Sequence, residues 1–165
     1  MKEIYVAGGC FWGVEAYFSR LKGVIETKCG YANGNTVNPS YEDLKNHIAN
    51  HAETVYILYD ENIITLEKLL EHFLRFVDPY SVNRQAHDIG EQYRSGIYYI
   101  NNTDYDIIKA YFDANLNSDY KIQILPLENF YPAEEYHQKY LEKNKYGYCH
   151  VDLNLIKKDE QKDTF

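Results

Sequence analysis

At 165 residues with a hydrophobic share of 45%, the chain is long enough for one well-packed core and short for two. Its net charge of −8, with lysines and acids interspersed, gathers no cationic face and argues against a nucleic-acid partner. No apolar run reaches the roughly 18–20 residues that cross a bilayer, and the amino terminus lacks the basic-then-apolar pattern of a secretory leader, so a cytoplasmic protein with no membrane contact is expected; a monomer is the expected state, which these features do not decide.

A short apolar strand over 4–7 runs into Gly8-Gly9-Cys10 and then a helix over 12–22, with Gly23 suited to a left-handed cap. A strand over 24–31 and a turn at Ala32-Asn33-Gly34-Asn35 follow. Ser40 N-caps a short helix that ends near His47. Residues 53–59 are β-branched and aromatic, as in a buried strand. Thr65 caps a helix that sets Leu66, Leu69, Leu70, Phe73, Leu74 and Val77 on one face. The stretch 78–94 has no period and is longer than compact domains usually leave unstructured, which suggests a functional loop. Beyond it the pattern predicts a strand over 95–100, a helix over 103–116, a strand over 120–127 and, with Pro132 at its first position, a helix over 132–143. Strands alternating with helices give an α/β (α+β) sandwich, with one catalytic domain over 1–156 and a fraying polar tail over 157–165.

Cysteines stand at 10, 29 and 149, without metal-type spacing, and the odd number fits a secreted disulfide framework poorly. Nucleophilic or redox use is the remaining option. Cys10 lies at a strand-to-helix turn, where free N–H groups and the helix dipole favour a thiolate. Glycines on its amino-terminal side permit close approach of a substrate, and the chain's single tryptophan, Trp12, follows.

Gly9-Cys10-Phe11-Trp12-Gly13, His51-Ala52-Glu53, the run from Asp88 to Ser95, and Tyr146-Gly147-Tyr148-Cys149 closely resemble the peptide methionine sulfoxide reductase A family, in order from about Val6 to Cys149. The resemblance implies a two-layer sandwich of a mixed sheet with helices packed around it. It also implies thiol-dependent reduction of the S epimer of methionine sulfoxide, free or in proteins, without a prosthetic group or metal. Cys10 would attack the sulfoxide sulfur. Glu53, at the start of an apolar strand where desolvation keeps a carboxyl protonated, would be the proton donor. Tyr41 and Tyr93 match hydroxyls that bind the sulfoxide oxygen, Phe11 and Trp12 match the methyl pocket, and Asp88 matches an anchor for the substrate backbone. Cys149 would resolve the Cys10 sulfenic acid, with Tyr148 beside it lining the pocket, and thioredoxin would reduce the resulting disulfide. Cys29 reads as a buried spare. From residue chemistry alone two rivals stand: a cysteine hydrolase pairing Cys10 with His51, His87 or His150, and a noncatalytic peptide-binding module.

Overall fold

Alternation makes β1 (Lys2–Gly8) a two-faced strand: Ile4 and Val6 enter the core, while Tyr5 lies with Tyr56 and Phe130 on the other face. The computed structural model describes residues 1–163. After β1 come α1 (Phe11–Ser19), β2 (Val24–Ala32), α2 (Tyr41–Lys45), β3 (Ala52–Tyr59), α3 (Leu66–Phe76), the two-residue strands β4 (Arg84–Gln85) and β5 (Asp88–Ile89), β6 (Ser95–Tyr99), α4 (Asn102–Asn115), β7 (Gln123–Pro126), β8 (Phe130–Pro132) and α5 (Tyr140–Lys143). Six strands form one sheet in the order β7-β6-β1-β3-β2-β8. Only β6 and β7 run parallel, with α4 between them in the chain, so the sheet is mixed. Val14 and Phe18 of α1, Leu69, Leu70 and Phe73 of α3, and Ile108 and Phe112 of α4 share one core with Ile4, Val6, Val55, Ile57 and Ile97 of the sheet.

Local chemistry sets several boundaries as expected. The Ser40 side chain accepts from the Asp43 N–H while Asp43 returns a bond to the Ser40 N–H, and Thr65 accepts from the Lys68 N–H. The helix read over 12–22 ends earlier, at Ser19. Gly23 does take a positive φ, of 94°, but in the turn entering β2, where a Cβ would lie 2.5 Å from Ile64.

The helix expected over 132–143 does not form. Pro132 instead closes β8 opposite Gly30, a 3-10 turn covers Glu135–His137, and only α5 is α-helical. Tertiary bonds override the helical pattern there: the Gln138 amide bonds both the N–H and the C=O of Cys29, and the Lys139 N–H goes to Glu15 with Lys139 at φ +53°. The aperiodic stretch 78–94 is likewise ordered by a buried side chain. Gln85 accepts from the Asp78 N–H and donates to the Asp78 carbonyl, Ser81 and Ser95, beneath the β4–β5 hairpin.

The segment from Lys157, expected to fray, is docked as far as it is described. The Glu160 carboxylate takes two bonds from Arg75, at 2.7 and 2.8 Å, and Gln161 bridges to Leu21. Residues 164–165 of that expectation lie outside the described residues.

Candidate active site

Register brings the site together. Gly8 pairs with Ser95 on one side, and Val6 pairs with Val55 on the other, so continuing the ladder sets Gly8 level with Glu53. Glu53 in turn pairs with Tyr31. Cys10, two residues past Gly8, and Tyr93, two residues before Ser95, therefore leave the same end of the sheet beside Glu53.

Cys10 N-caps α1 behind Gly9, whose φ of 95° turns the chain sharply. The Trp12 N–H bonds the Cys10 thiol, as expected at a helix start, but the net effect is opposite to the expected activation. Burial pushes the thiol well above its ordinary range, and the Glu53 charge adds to this. Cys10 is 6% exposed, so it is buried and not open at the surface.

Glu53 is buried, and its Oε1 accepts the Phe11 N–H at 3.2 Å. Its Oε2 has no hydrogen-bond partner among the described residues. Burial raises its carboxyl to about 8, with the Phe11 bond opposing and Asp88 assisting. Tyr41 begins α2, and Tyr93 closes the 3-10 turn Glu91–Tyr93. Burial first and the Glu53 charge second raise both phenols, Tyr41 to about 12 and Tyr93 further. Near neutral pH the site thus holds a thiol, a protonated carboxyl and two intact phenols, all of them hydrogen-bond donors.

The aromatic wall is held from behind. Phe11 packs against Tyr31 and His137, with ring centroids 5.7 and 5.1 Å away. Trp12 stacks on Tyr140 at 3.8 Å and donates its indole N–H to His137 Nδ1 at 3.0 Å. Asp88, on β5, accepts from the Tyr148 hydroxyl at 3.0 Å. Cys149 is half-buried and donates its thiol to the Val151 carbonyl.

A sequence model of the peptide methionine sulfoxide reductase family matches residues 2–165. The chain is 53% identical over 161 residues to peptide methionine sulfoxide reductase MsrA of Clostridium acetobutylicum, covering 96% of this chain and 99% of that one. The chain belongs to the peptide methionine sulfoxide reductase family. The solved methionine sulfoxide reductase A of Corynebacterium diphtheriae superposes with a TM-score of 0.83 at 34% identity, covering 90% of this reductase and 77% of that chain. Mxr1 of Saccharomyces cerevisiae, solved in complex with Trx2, superposes with a TM-score of 0.55 at 27% identity over 84% of each chain. The two-layer α/β architecture with its mixed sheet is therefore that of the family.

The hydrolase reading finds no geometry in the reductase. Among the described residues no histidine hydrogen-bonds Cys10: the His51 ring packs on Tyr131, His87 is exposed in the β4–β5 turn, and His150 bonds the Gly8 carbonyl. Cys29 is fully buried, its thiol directed at Glu15 and the Phe11 carbonyl, and burial and Glu15 hold its proton in place.

The sequence reading missed the residues that brace the reductase site. Glu134 accepts from the Tyr31 hydroxyl and the Tyr41 N–H, while His137 and Tyr140 hold Trp12. Their three-residue spacing is visible in the sequence but falls inside the helix expected over 132–143.

Proposed function

We propose that this oxidoreductase reduces the S epimer of methionine sulfoxide with Cys10 as nucleophile and Glu53 as proton donor. The observation that carries the reading is the buried Glu53 carboxyl, tied to the α1 start beside Cys10 by the Phe11 N–H with its Oε2 left unpartnered among the described residues; burial raises it to about 8. Glu53, through Oε2, and the Tyr41 and Tyr93 hydroxyls grip the sulfoxide oxygen, making the sulfur electrophilic. As Cys10 attacks, the S–O bond of the substrate breaks and the oxygen ends on Cys10 as a sulfenic acid. Glu53 protonates that oxygen and is reprotonated at the expense of the thiol proton, so the thioether leaves as methionine with all protons accounted for. Phe11 and Trp12 face the substrate methyl, and Asp88, once Tyr148 yields, takes a substrate amide N–H.

Cys149 then condenses with the sulfenic acid, forming a disulfide and water. An external dithiol, thioredoxin in our reading, restores both thiols by exchange; the Trx2 complex of the yeast relative supports that choice. We place the protein in the cytoplasm as a monomer with a single catalytic domain; three free cysteines support a reducing compartment. No helix among the described residues is long and apolar enough to cross a membrane.

Single-turnover mixing of the reduced protein with separated sulfoxide epimers tests this. One methionine per protein, with two thiols lost, is expected from the S form alone. Equal reduction of the R form would remove the stereochemical assignment.

A further inference from the structure

Three consecutive residues of the carboxyl-terminal segment rest on one bare α-carbon of α1. A Cβ added at Gly13 would lie 3.1 Å from Val151, 3.2 Å from His150 Nδ1 and 3.3 Å from the Cys149 sulfur. Cys10 N-caps α1 and Gly13 is its third residue, the two positions that a capping box joins, so they lie side by side at the helix start. The segment is also pinned. His150 Nε2 lies 2.9 Å from the Gly8 carbonyl, and since a carbonyl only accepts, that nitrogen carries the proton. The same ring packs against Gly9, where a Cβ would be 2.9 Å from Nε2, and lies edge-on to Phe76. His150 thus grips the backbone on the amino-terminal side of Cys10 while its neighbour Cys149 lies on the carboxyl-terminal side.

We infer that His150 and the uncovered α-carbon of Gly13 form a seat that holds Cys149 within reach of Cys10, making His150 a positioning residue for disulfide formation. In that step the S–O bond of the Cys10 sulfenic acid breaks, the Cys149–Cys10 bond forms, and the thiol proton leaves with the hydroxyl as water. A seated thiol meets the sulfenic acid without a search by a loose chain end. The inference rests on Cys149 being the resolving thiol.

The experiment mixes the reduced full chain with one equivalent of S sulfoxide, follows methionine and thiol loss, and traps sulfenic acid with dimedone. In His150→Ala methionine release should keep the wild-type rate, while disulfide formation slows on the order of 10- to 100-fold and dimedone adduct accumulates. His150→Gln, whose amide N–H reaches as far as Nε2, should restore most of the rate. Gly13→Ala raises helix propensity but sets a Cβ 3.1–3.3 Å from the three seated residues, so with the seat displaced it should form the disulfide more slowly. A wild-type disulfide rate in His150→Ala, or no rescue by glutamine, overturns the seat. If His150→Ala does not fold, a wild-type rate in Gly13→Ala overturns it. Cys149→Ser separates the two readings: loss of two thiols per methionine in that variant removes Cys149 itself from the reaction.

Discussion

The Phe11 main-chain N–H donates to Glu53 Oε1 at 3.2 Å, tying the first residue of α1 to the one carboxyl of β3. The bond occupies one carboxyl oxygen from the protein side and leaves the other to carry the proton. It also makes the placement of the α1 start, next to Cys10, and of the Glu53 carboxyl a single geometric fact.

The sulfoxide step should therefore weaken as pH rises through about 8, where Glu53 loses its proton. Stability shares that dependence. Glu53 is raised from 4.5, so its favourable neutral state is fully present below pH 4.5 and lost as pH climbs to about 8, because the folded state binds the extra proton across that window. Glu53→Gln should slow sulfoxide reduction at pH 7 and flatten the stability profile between pH 5 and 9. Urea unfolding at several pH values, beside single-turnover rates, checks both, and a wild-type reduction rate in the variant would remove Glu53 as donor.

Cys10→Ser should release no methionine. Cys149→Ser should release about one equivalent per protein and then stall with thioredoxin, since a sulfenic acid without its partner thiol is not turned over efficiently. Continued turnover of Cys149→Ser with thioredoxin would contradict the assignment.

His137→Phe keeps a ring of similar shape beside Phe11 but removes the acceptor for the Trp12 indole. Leaving that N–H unmet should cost about 1 kcal/mol, roughly fivefold in kcat/KM, mainly through KM. Steady-state kinetics on a peptide sulfoxide would show it, and an unchanged kcat/KM would mean that Trp12 needs no such brace.

Glu160→Gln should destabilise the fold by about 1.5–3 kcal/mol, as expected for lost charge-assisted bonds to Arg75. Arg75 holds this carboxyl below the usual carboxylate range, so its contribution is present above pH 4.5 and fades as pH falls, the reverse of Glu53. Urea midpoints at pH 4 and 7 test the sign: the gap between variant and wild type should be larger at pH 7.

Strands with regular alternation, such as β1 and β3, and helices with their own caps, such as α2 and α3, were legible because the signal and the structure are both local. The region around Gln138 and Lys139 was not, because bonds to Cys29 and Glu15, more than a hundred residues away in the chain, decide its path. Eighteen tyrosines by count alone left their purpose open. The structure divides the roles: Tyr5 and Tyr56 cover the far face of the sheet, whereas Tyr41 and Tyr93 feel the Glu53 charge.

The ordered motifs by themselves determined the family resemblance, the α/β alternation and the residue types gathered for sulfoxide chemistry. Tertiary structure decided the protonation of the site. A helix start favours a thiolate at Cys10, but burial and a neighbouring carboxyl outweigh it, because removing charge from water costs more than one or two N–H groups return. Only the folded register, which sets Gly8 level with Glu53, puts those two groups close enough for that contest to occur.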